Sequence, residues 1–456
     1  MVGRERDDLD AILDRALARS SAGQTEALLM AQDASLTRFA TNQIHQNVRE
    51  HDATLQVRVV DGERIGVAGT NRLDEAGIDG VVDRALEIAR RSAPNPRNAV
   101  LPEPDGREYD PDAGYVATTA AASADRRGEA ARAVIAAGEA KDLQVSGSFA
   151  TSVLTVAVAN SRGIRVRHRG TKAALLTVMM DGFGSGAASG YAHAGSADLA
   201  GIDAEALGRE AADKADRMRG AGELEAGEYE VILEEYAVAG LLEYLSFIGF
   251  SGLAHEEGRS FMELGKRVMG EEVTLVDDGS DPDGLPLPID FEGVVRRRVE
   301  LVTAGVATAV VHDAATGARA GTGSTGHGLP APNTFGPMAS HLFMAPGQAA
   351  RDEMIRDVKR GVWVTRFHYI NPVHPKKAIL TGMTKDGTFL IEDGRLSRPL
   401  MNFRFTQSVP EAFSDIRAAS RETKLLPGEF FGAYRAPMLH LGSFNFTGVT
   451  AAEATA

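Results

Sequence analysis

Three short segments carry the side chains best suited to catalysis or metal binding. The first is His255-Glu256-Glu257, the nearest approach in the chain to a metal-binding motif. A metalloprotease helix of the His-Glu-x-x-His type needs a second histidine to complete its zinc ligands. No histidine stands at 259 or 260, so the motif is incomplete, and we expect a solvated loop that ends at Gly258.

The other two segments are rich in carboxylates. They contain Asp277-Asp278 and the pair Asp290 and Glu292, each beside a glycine. Carboxylate oxygens are suitable ligands for calcium or magnesium. Aspartate next to glycine is also typical of tight turns, in which the carboxylate accepts backbone hydrogen bonds. We predict the turn-forming role for both segments.

The remaining histidines are scattered and show no ligand spacing. His312 and His327 lie near the glycine-rich stretch GARAGTGSTGHG, which lacks the Gly-Lys-Ser/Thr of a phosphate-binding loop. We therefore interpret that stretch as a flexible loop. His368, His374 and His440 are each expected to be packed or surface residues, because a lone histidine seldom binds a metal.

Composition limits the classes of function. The chain has 456 residues, 43% hydrophobic and 25% charged, which predicts an ordinary globular protein of two or three domains. Its formal charge of −14 argues against a nucleic-acid partner, since binding to duplex DNA depends on neutralising phosphates. No apolar run approaches the roughly 20 residues of a membrane span. Zero cysteines exclude disulfides, and we expect a cytoplasmic location without membrane contact.

Hydrophobic periodicity predicts a repeated helix–strands–helix order in the N-terminal half. The predicted helices cover 4–19, 74–91, 123–140 and 203–218. The predicted strands cover 25–31, 35–44, 54–60, 64–68, 144–149, 153–160, 164–169 and 173–181. The sequence thus favours two α/β subdomains, 1–93 and 118–222, joined by a proline-rich linker over 94–117. The repeat indicates a duplication, although the sequences of the two halves are not visibly similar.

From 223 to 456 the sequence predicts a C-terminal β-rich domain. Short β-type runs alternate with glycine, aspartate and proline, which is typical of antiparallel sheets. Only two helices are predicted there, over 236–247 and 348–360. The overall prediction is an α+β protein with a duplicated N-terminal α/β region and a large, mostly antiparallel C-terminal β domain.

A family resemblance adds to these predictions. The stretch VILEEYAVAGLLEYLSFIGFSGLAHEEGRSF, residues 231–261, resembles the metal-binding segment of the TldD/PmbA metallopeptidases, also named as modulators of DNA gyrase. Further motifs follow in the order that is typical of this family. They are Val276-Asp277-Asp278-Gly279, Asp290-Phe291-Glu292-Gly293, Thr325-Gly326, Asn333-Thr334, Pro346-Gly347 and Ile391-Glu392-Asp393-Gly394.

The resemblance implies a chain without its own zinc site. In the catalytic branch a Leu-Leu pair is followed by His-Glu-x-x-x-His, and a cysteine near the C-terminus completes the ligands. Counting from Leu241-Leu242, the matching positions hold Glu243, Tyr244 and Ile248, and no cysteine is present. The chain therefore resembles the non-catalytic TldE/PmbA-like branch, with no catalytic residue and no metal or other cofactor of its own.

The same resemblance implies a partner and a substrate. Zinc is expected in a TldD-like subunit, and the heterodimer is expected to cleave unfolded proteins or process extended peptides in a shared cleft. His255, Glu256 and His327 are the residues that we expect to line this cleft. Two alternatives remain open at this point. One is an autonomous homodimeric hydrolase with a non-standard metal site built from residues such as His255, Glu256, His327 or His374. The other is a peptide-binding module without catalysis.

Overall fold

The computed structural model describes residues 6–97, 99–184, 187–429 and 432–449. The N-terminal region contains two helix–three strands–helix units. The first consists of α1 Arg6–Arg19, β1 Gln24–Ala40, β2 Gln43–Asp61, β3 Arg64–Thr70 and α2 Glu75–Arg91. The second consists of α3 Ala117–Ala120, α4 Ala124–Glu139, β4 Gln144–Asn160, β5 Arg165–Met180, β6 Ser189–Ser196 and α5 Ala204–Arg217.

The six strands form one antiparallel sheet in the order β3-β2-β1-β4-β5-β6. The first strands of the two units, β1 and β4, lie side by side at the centre, with Leu28 opposite Val158. Helices cover one face of the sheet, and a segment around Ile289–Val295 packs on Leu28 and Val158 from the other face. The repeated topology agrees with the predicted duplication.

Three predicted helix starts coincide with side-chain caps. Asp74 accepts a hydrogen bond from the N–H of Gly77, Ser123 from that of Arg126, and Asp203 from that of Ala206. Such caps satisfy backbone donors that the first turn leaves unpaired, so these starts were recognisable from the sequence.

Several predicted strand limits were wrong. Instead of a strand over 35–44, the chain turns at Thr41 and Asn42, which have φ values of 48° and 61°. Asparagine tolerates this left-handed conformation, and the Asn42 amide is fixed by hydrogen bonds to the backbone of Leu143 and Val145. The strands predicted over 144–149 and 153–160 form one strand, and so do those predicted over 164–169 and 173–181. Residues 150–152 and 170–172, which were expected to separate them, pair with neighbouring strands.

The described residues between α2 and α3 form neither helix nor strand. They nevertheless pack against the sheet: Leu101 is buried, and the Tyr109 hydroxyl donates to the carbonyl of Arg167 and accepts from its N–H, at 2.9 and 3.0 Å. This connection is therefore fixed along the sheet.

The C-terminal region contains the second, larger sheet system. Its first elements are β7 Gly227–Leu233, α6 Glu235–Ile248, α7 Gly252–Glu256, β8 Leu275–Asp277, β9 Val299–Thr303, β10 Val306–Ala307, α8 Ala314–Ala320 and β11 His341–Met344. The remaining elements are α9 Arg351–Arg356, β12 Arg360–His374, β13 Ile379–Glu392, β14 Arg395–Pro399, β15 Phe403–Ser408, α10 Val409–Ala412, β16 Ile416–Pro427 and β17 Ala433–Val449. The largely antiparallel pairing confirms the predicted fold class.

Five of these strands close into a ring. The order is β7-β12-β13-β15-β17, and β17 pairs back onto β7. Only the β7–β12 contact is parallel. Closure removes free strand edges, which otherwise attract other chains. Buried phenylalanine rings pack between the strands. The centre of the Phe367 ring, for example, lies 4.5 Å from that of Phe405 and 5.5 Å from that of Phe444.

The helix predicted over 348–360 is much shorter than expected. It covers only Arg351–Arg356, and the Ala350 N–H donates to Glu353 at its start. The following residues Val362-Trp363-Val364 pair with both β7 and β13. β-Branched and aromatic residues fit such a paired strand better than a helix, and the strand β12 already begins at Arg360, within the range predicted as helix. Among the described residues, no helix is long and apolar enough to cross a membrane.

Candidate functional site

A well-formed cavity lies beside α6, the helix that carries Glu243, Tyr244 and Ile248. Its volume is about 470 Å³. Glu243 and Tyr244 line it, whereas Ile248 is buried in the core. The helix is held between β12 and β17, with Leu241, Leu242 and Leu245 fully buried. The cavity therefore lies beside positions 243 and 244, which the sequence resemblance matches to the first two motif residues of the catalytic branch.

Glu243 is fixed by the segment that follows β16. Its carboxylate accepts a hydrogen bond of 2.6 Å from the N–H of Glu429. Tyr434 lies nearby, and burial together with the Glu243 charge raises the pKa of its phenol well above the usual value. Burial and the charges of Glu429 and Glu243 also raise the pKa of Tyr244. Both phenols are therefore neutral hydrogen-bonding groups at neutral pH.

Another part of the cavity wall carries two imidazoles and one guanidinium. Burial lowers the pKa of His193 to about 4, and it also lowers the pKa of His368. Arg366 lies 4.4 Å from the centre of the Tyr191 ring and donates to buried Asp386 at 2.6 Å. At neutral pH this wall thus presents neutral histidines and an arginine whose charge is already balanced.

These residues do not fit a catalytic zinc ion. A zinc site of this kind needs three ligands from histidine, cysteine or carboxylate side chains. Ile248 has no ligand atom, the Tyr244 phenol stays protonated, and the chain has no cysteine. Within the described ranges, no group of three or more histidine, aspartate or glutamate side chains is placed to hold a metal.

His255 and Glu256 do not line this cavity. They lie on α7, where the His255 imidazole hydrogen-bonds to the carbonyl of Met262 at 3.0 Å. Glu256 forms ion pairs with Arg319, at 2.8 Å, and with Arg97. The predicted loop at this position is thus a short helix held by surface ion pairs.

The prediction that His327 lines the cleft was wrong. Its side chain is 0% exposed, and Nε2 hydrogen-bonds to buried Asp277 at 2.7 Å. Nδ1 lies 2.9 Å from the Thr325 hydroxyl. Burial raises the pKa of Asp277, but His327 and Arg296 outweigh it, so the net pKa lies well below its usual range. The glycine-rich sequence suggested an exposed loop, whereas the aspartate holds the histidine inside.

Thr325, His327 and Asp277 form a chain of hydrogen bonds that resembles a nucleophile relay. The Thr325 hydroxyl, however, accepts a hydrogen bond from the His312 N–H at 2.7 Å and lies 3.0 Å from the His312 carbonyl. This hydroxyl therefore already hydrogen-bonds to the backbone of His312. We assign this series of hydrogen bonds a structural role.

The other segments singled out from the sequence are also structural. Asp290 is 0% exposed and accepts hydrogen bonds from the N–H groups of Glu292, Val294 and Gly328. It therefore shapes a turn, as predicted. His440 hydrogen-bonds to Glu230 at 2.8 Å, and His374 lies at the exposed end of β12.

Sequence reasoning missed a buried charge network below the cavity. Glu234, at the start of α6, accepts hydrogen bonds from Lys214 at 2.7 Å, from the Trp363 indole at 2.7 Å and from the Thr365 hydroxyl at 2.9 Å. Lys214 also pairs with Glu210, at 2.8 Å. The only sequence signal was a glutamate directly after the apolar strand Val231–Leu233.

Comparison with known families gives the assignment. The PmbA/TldA metallopeptidase domain 1 matches residues 32–89, the central domain matches 111–219 and the C-terminal domain matches 226–448. The chain belongs to the PmbA/TldD metallopeptidase family. The resemblance inferred from the motifs is thereby confirmed.

Curated relatives of this PmbA/TldD chain are named as metalloproteases. One from Methanothermobacter thermautotrophicus is 26% identical over 298 residues, 62% of this chain and 64% of the relative. One from Methanocaldococcus jannaschii is 25% identical over 227 residues, 49% of this chain and 50% of the relative. The chain thus matches less than two thirds of the length of either protein.

Solved structures match over nearly the whole PmbA/TldD chain. TldE from Thermococcus kodakarensis superposes with a TM-score of 0.86 at 22% identity, covering 97% of this chain and all of that one. A protein from Thermotoga maritima, named as a candidate modulator of a DNA gyrase, gives 0.84 at 18% identity, with 96% of this chain and all of that one covered. At these identities the likeness establishes the fold.

Ile248 allows a test of its packing role. Ile248→Ala should lower the free energy of unfolding by about 2–4 kcal/mol, because the deleted groups leave a cavity in a close-packed core. Urea denaturation measures this loss. The matched control is Ile88→Ala on α2, where the isoleucine is 43% exposed and little change is expected. Equal effects at the two positions would contradict the assignment of Ile248 to the core.

Proposed function

We propose that this chain is the TldE/PmbA-like subunit of a heterodimeric metallopeptidase whose zinc lies in a TldD-like partner. The observation that carries the proposal is the α6 segment: the fold of the family is present, but its ligand positions hold Glu243, Tyr244 and Ile248. The proposed substrates are unfolded proteins or extended peptides. The proposed location is the cytoplasm, with which a cysteine-free chain is compatible.

The role of a zinc-free subunit would be to enclose and position the peptide. The cavity beside α6 is partly apolar and open to solvent, so it offers contact area to an extended chain. Folded proteins would be excluded if two such subunits faced each other across the cleft. A large interface would also be required, roughly above 2,000 Å² in total for a permanent complex.

Co-expression tests the proposal. This chain and a His-Glu-x-x-x-His homologue from the same source should form a stable heterodimer that cleaves an unstructured peptide, whereas neither subunit does so alone. Elemental analysis after dialysis should find about one zinc per heterodimer and well under one in the isolated chain, because four-coordinate sites need their full ligand set.

The control replaces the first motif histidine of the partner with alanine. This variant should still form the heterodimer but lose zinc and activity. Full activity of the partner by itself would contradict the proposal. One tightly held zinc in the isolated chain, together with hydrolysis, would favour the autonomous homodimer instead. Peptide binding without any zinc-bearing partner would favour a pure binding module.

A further inference from the structure

The face of the N-terminal sheet that the helices cover has a polar strip at its centre. On β1, Leu29 belongs to the apolar core under α1 and α2, and Phe39 belongs to the core under α4 and α5. Side chains alternate between the two faces of a strand, so Asp33, Ser35 and Thr37 lie on this face between the two cores. The two repeated units therefore meet over polar side chains, which need hydrogen-bonding partners when they are shielded from water.

A small cavity lies over this strip. Its volume is about 100 Å³. Its polar lining residues come from β1, β2, α3 and β4, and they are Asp33, Ser35, Arg49, Thr119, Thr151 and Ser152. Sites for small organic molecules commonly enclose about 300–1,000 Å³. This cavity therefore has room for a ligand of only a few heavy atoms.

A buried arginine without an acidic partner lies beside the cavity. Arg127, near the start of α4, is 3% exposed. Its guanidinium donates to neutral oxygens only: the Ala122 carbonyl at 3.0 Å, the hydroxyls of Thr37 and Thr151 at 3.3 Å, and the Asn47 amide at 3.4 Å. Among the described residues no carboxylate forms an ion pair with it, although buried charges in proteins are normally paired.

The positive charge of Arg127 acts on the cavity. Ala122 and Thr151, which accept its hydrogen bonds, also line the cavity, so the guanidinium lies directly behind the cavity wall. Burial and the charge of Arg49 lower the pKa of Arg127, but an arginine stays protonated at neutral pH. An ion inside the cavity would therefore meet the field of a charge that the protein leaves unbalanced.

The other ionised groups at the cavity balance each other. Arg49 donates to both carboxylate oxygens of Asp33, from Nε at 3.0 Å and from Nη2 at 2.6 Å. These bonds hold the pKa of Asp33 below its usual range, so the two groups form a neutral ion pair. The His51 imidazole, with Nδ1 at 3.2 Å from the same carboxylate, adds positive charge when it is protonated. The charge of Arg127 is thus left over, and the cavity favours an anion over a cation.

Several hydrogen-bond donors that line the cavity have no acceptor in the described part of the chain. They include Nη1 of Arg49 and the hydroxyl of Ser35. The Thr151 hydroxyl accepts from Arg127, and the Thr119 hydroxyl accepts from a backbone N–H at 2.8 Å, which leaves the proton of each available to a ligand. Such donors beside an unbalanced positive charge are suited to the oxygens of phosphate or sulfate, which accept charge-assisted hydrogen bonds.

We propose that this cavity binds one free tetrahedral oxyanion, phosphate or sulfate. The hydroxyls of Ser35 and Thr151 and the guanidinium of Arg49 would donate to its oxygens, and Arg127 would supply the opposite charge. The ion would link β1 and β2 of the first unit to β4 of the second unit, and it would thereby stabilise the contact between the units. No lining residue is shared with the cavity beside α6, and neither zinc nor a partner subunit takes part. The inference therefore goes beyond the proposed function.

Calorimetric titration of the isolated chain with inorganic phosphate tests the proposal. The buffer is Tris at pH 7.5, which contains no oxyanion, and sodium chloride keeps the ionic strength constant. Binding should saturate at one phosphate per chain, and sulfate should compete with it. The melting temperature should rise with phosphate concentration, because a ligand that binds the folded state alone stabilises it. Absence of saturable binding, or an equal effect of chloride alone, would overturn the proposal.

Phosphate esters separate a free ion from the phosphoryl group of a larger molecule. Phosphoserine and glycerol 3-phosphate present the same group with an organic substituent. Free phosphate should bind more tightly than either ester, because a cavity of about 100 Å³ leaves little room for the substituent. Tighter binding of an ester would overturn the assignment to a free ion.

Two variants test the contacts. Arg127→Met should weaken phosphate binding by at least about tenfold, because it removes the unbalanced charge. Ser35→Ala should weaken it about threefold through the loss of one hydroxyl donor. The matched control is Arg126→Met on the same helix. That arginine pairs with Glu129 at 3.4 Å on the exposed surface, so its removal should leave the affinity unchanged.

Thermal melting identifies any variant that fails to fold. The Ser35 side chain makes no hydrogen bond to another described residue, so Ser35→Ala keeps the test decisive if Arg127→Met does not fold. Unchanged phosphate affinity in folded Ser35→Ala or in folded Arg127→Met would contradict the site.

A negative result here would leave the heterodimer proposal intact. That proposal is tested by zinc content and by cleavage in the presence of the partner, whereas this site is tested by equilibrium binding to one subunit. The two proposals therefore fail separately.

Discussion

Glu234→Ala should lower the free energy of unfolding by about 3–5 kcal/mol, the typical effect of breaking a buried ion pair. The glutamate is 0% exposed and connects the start of α6 with α5 and β12. It accepts hydrogen bonds from Lys214 on α5 and from Trp363 and Thr365 on β12. Alanine would leave the indole and hydroxyl donors without their acceptor in a site closed to water. An unsatisfied buried donor is costly in itself.

Urea denaturation at pH 7 measures the effect of Glu234→Ala. The matched control is Glu205→Ala, which removes a glutamate that pairs with Arg209 at 3.4 Å on the exposed surface of α5. Exposed pairs contribute little to stability, so the control should be nearly neutral. If Glu234→Ala lowered the free energy of unfolding as little as Glu205→Ala, Glu210 alone would be sufficient to balance the charge of Lys214.

The stability difference between wild type and Glu234→Ala should depend on pH, and its direction follows from the pKa of Glu234. Burial raises the pKa of Glu234, but the charge of Lys214 outweighs it, so the net pKa is lowered from its ordinary value of 4.5. A lowered carboxyl pKa gives stability that is present above the unfolded pKa and is lost as the pH falls through the folded one. The gap between wild type and Glu234→Ala should therefore narrow only in acid, below about pH 4.5.

Local signals in the sequence predicted most of the helices. Asp74, Ser123 and Asp203 each stand directly before a hydrophobic periodic segment, where a capping side chain is expected. The segment that holds Glu243 and Tyr244 was also placed correctly on a helix. These features depend on neighbours along the chain, which is why a single sequence reveals them.

Features that depend on distant contacts were not predictable in the same way. The strand β6, SGYAHAGS, consists mostly of small residues and has little β-propensity of its own. It forms a strand because it pairs with β5, and because Gly190 allows close packing on α5, where an added Cβ would lie 2.1 Å from the Ala211 carbonyl oxygen. The burial of His327 likewise depends on Asp277, fifty residues earlier in the chain.

Some residues that line the cavity beside α6 were predictable from the sequence, and others were not. Glu243 and Tyr244 were identified from their alignment with the family motif, whereas His193 and Arg366 come from other parts of the chain. No spacing rule connects a strand of the N-terminal sheet with a strand of the C-terminal ring. The chemistry of the cavity, including its balance of charge, therefore became visible only in the folded chain.

A buried arginine takes part in the contact between the two sheet systems. Arg58 on β2 donates to Glu26 on β1 at 2.7 Å and to Glu292 in the C-terminal region at 3.0 Å. Both glutamates are buried. Arg58→Met should lower the free energy of unfolding by about 3–5 kcal/mol, because it leaves the buried carboxyl groups of Glu26 and Glu292 without their charged hydrogen-bond donor.

The matched control lies on the exposed surface of α2. Arg91→Met removes an arginine that pairs with Glu87 at 2.6 Å, and both side chains are largely exposed. Water can solvate the charge left behind, so little measurable loss of stability is expected. Comparison of the two variants by urea denaturation separates the buried contact from the general effect of removing a positive charge.

The loss at Arg58 should grow as the pH rises. Burial raises the pKa of Glu292 to about 8, although Arg58 opposes the shift. A raised carboxyl pKa gives stability that is present at low pH and is lost as the pH rises through the folded pKa. Without Arg58 this pKa should rise further, so the same ionisation becomes more costly in the variant. The deficit of Arg58→Met should therefore be larger at pH 9 than at pH 6.5, and a deficit independent of pH would contradict the role of Glu292 in this contact.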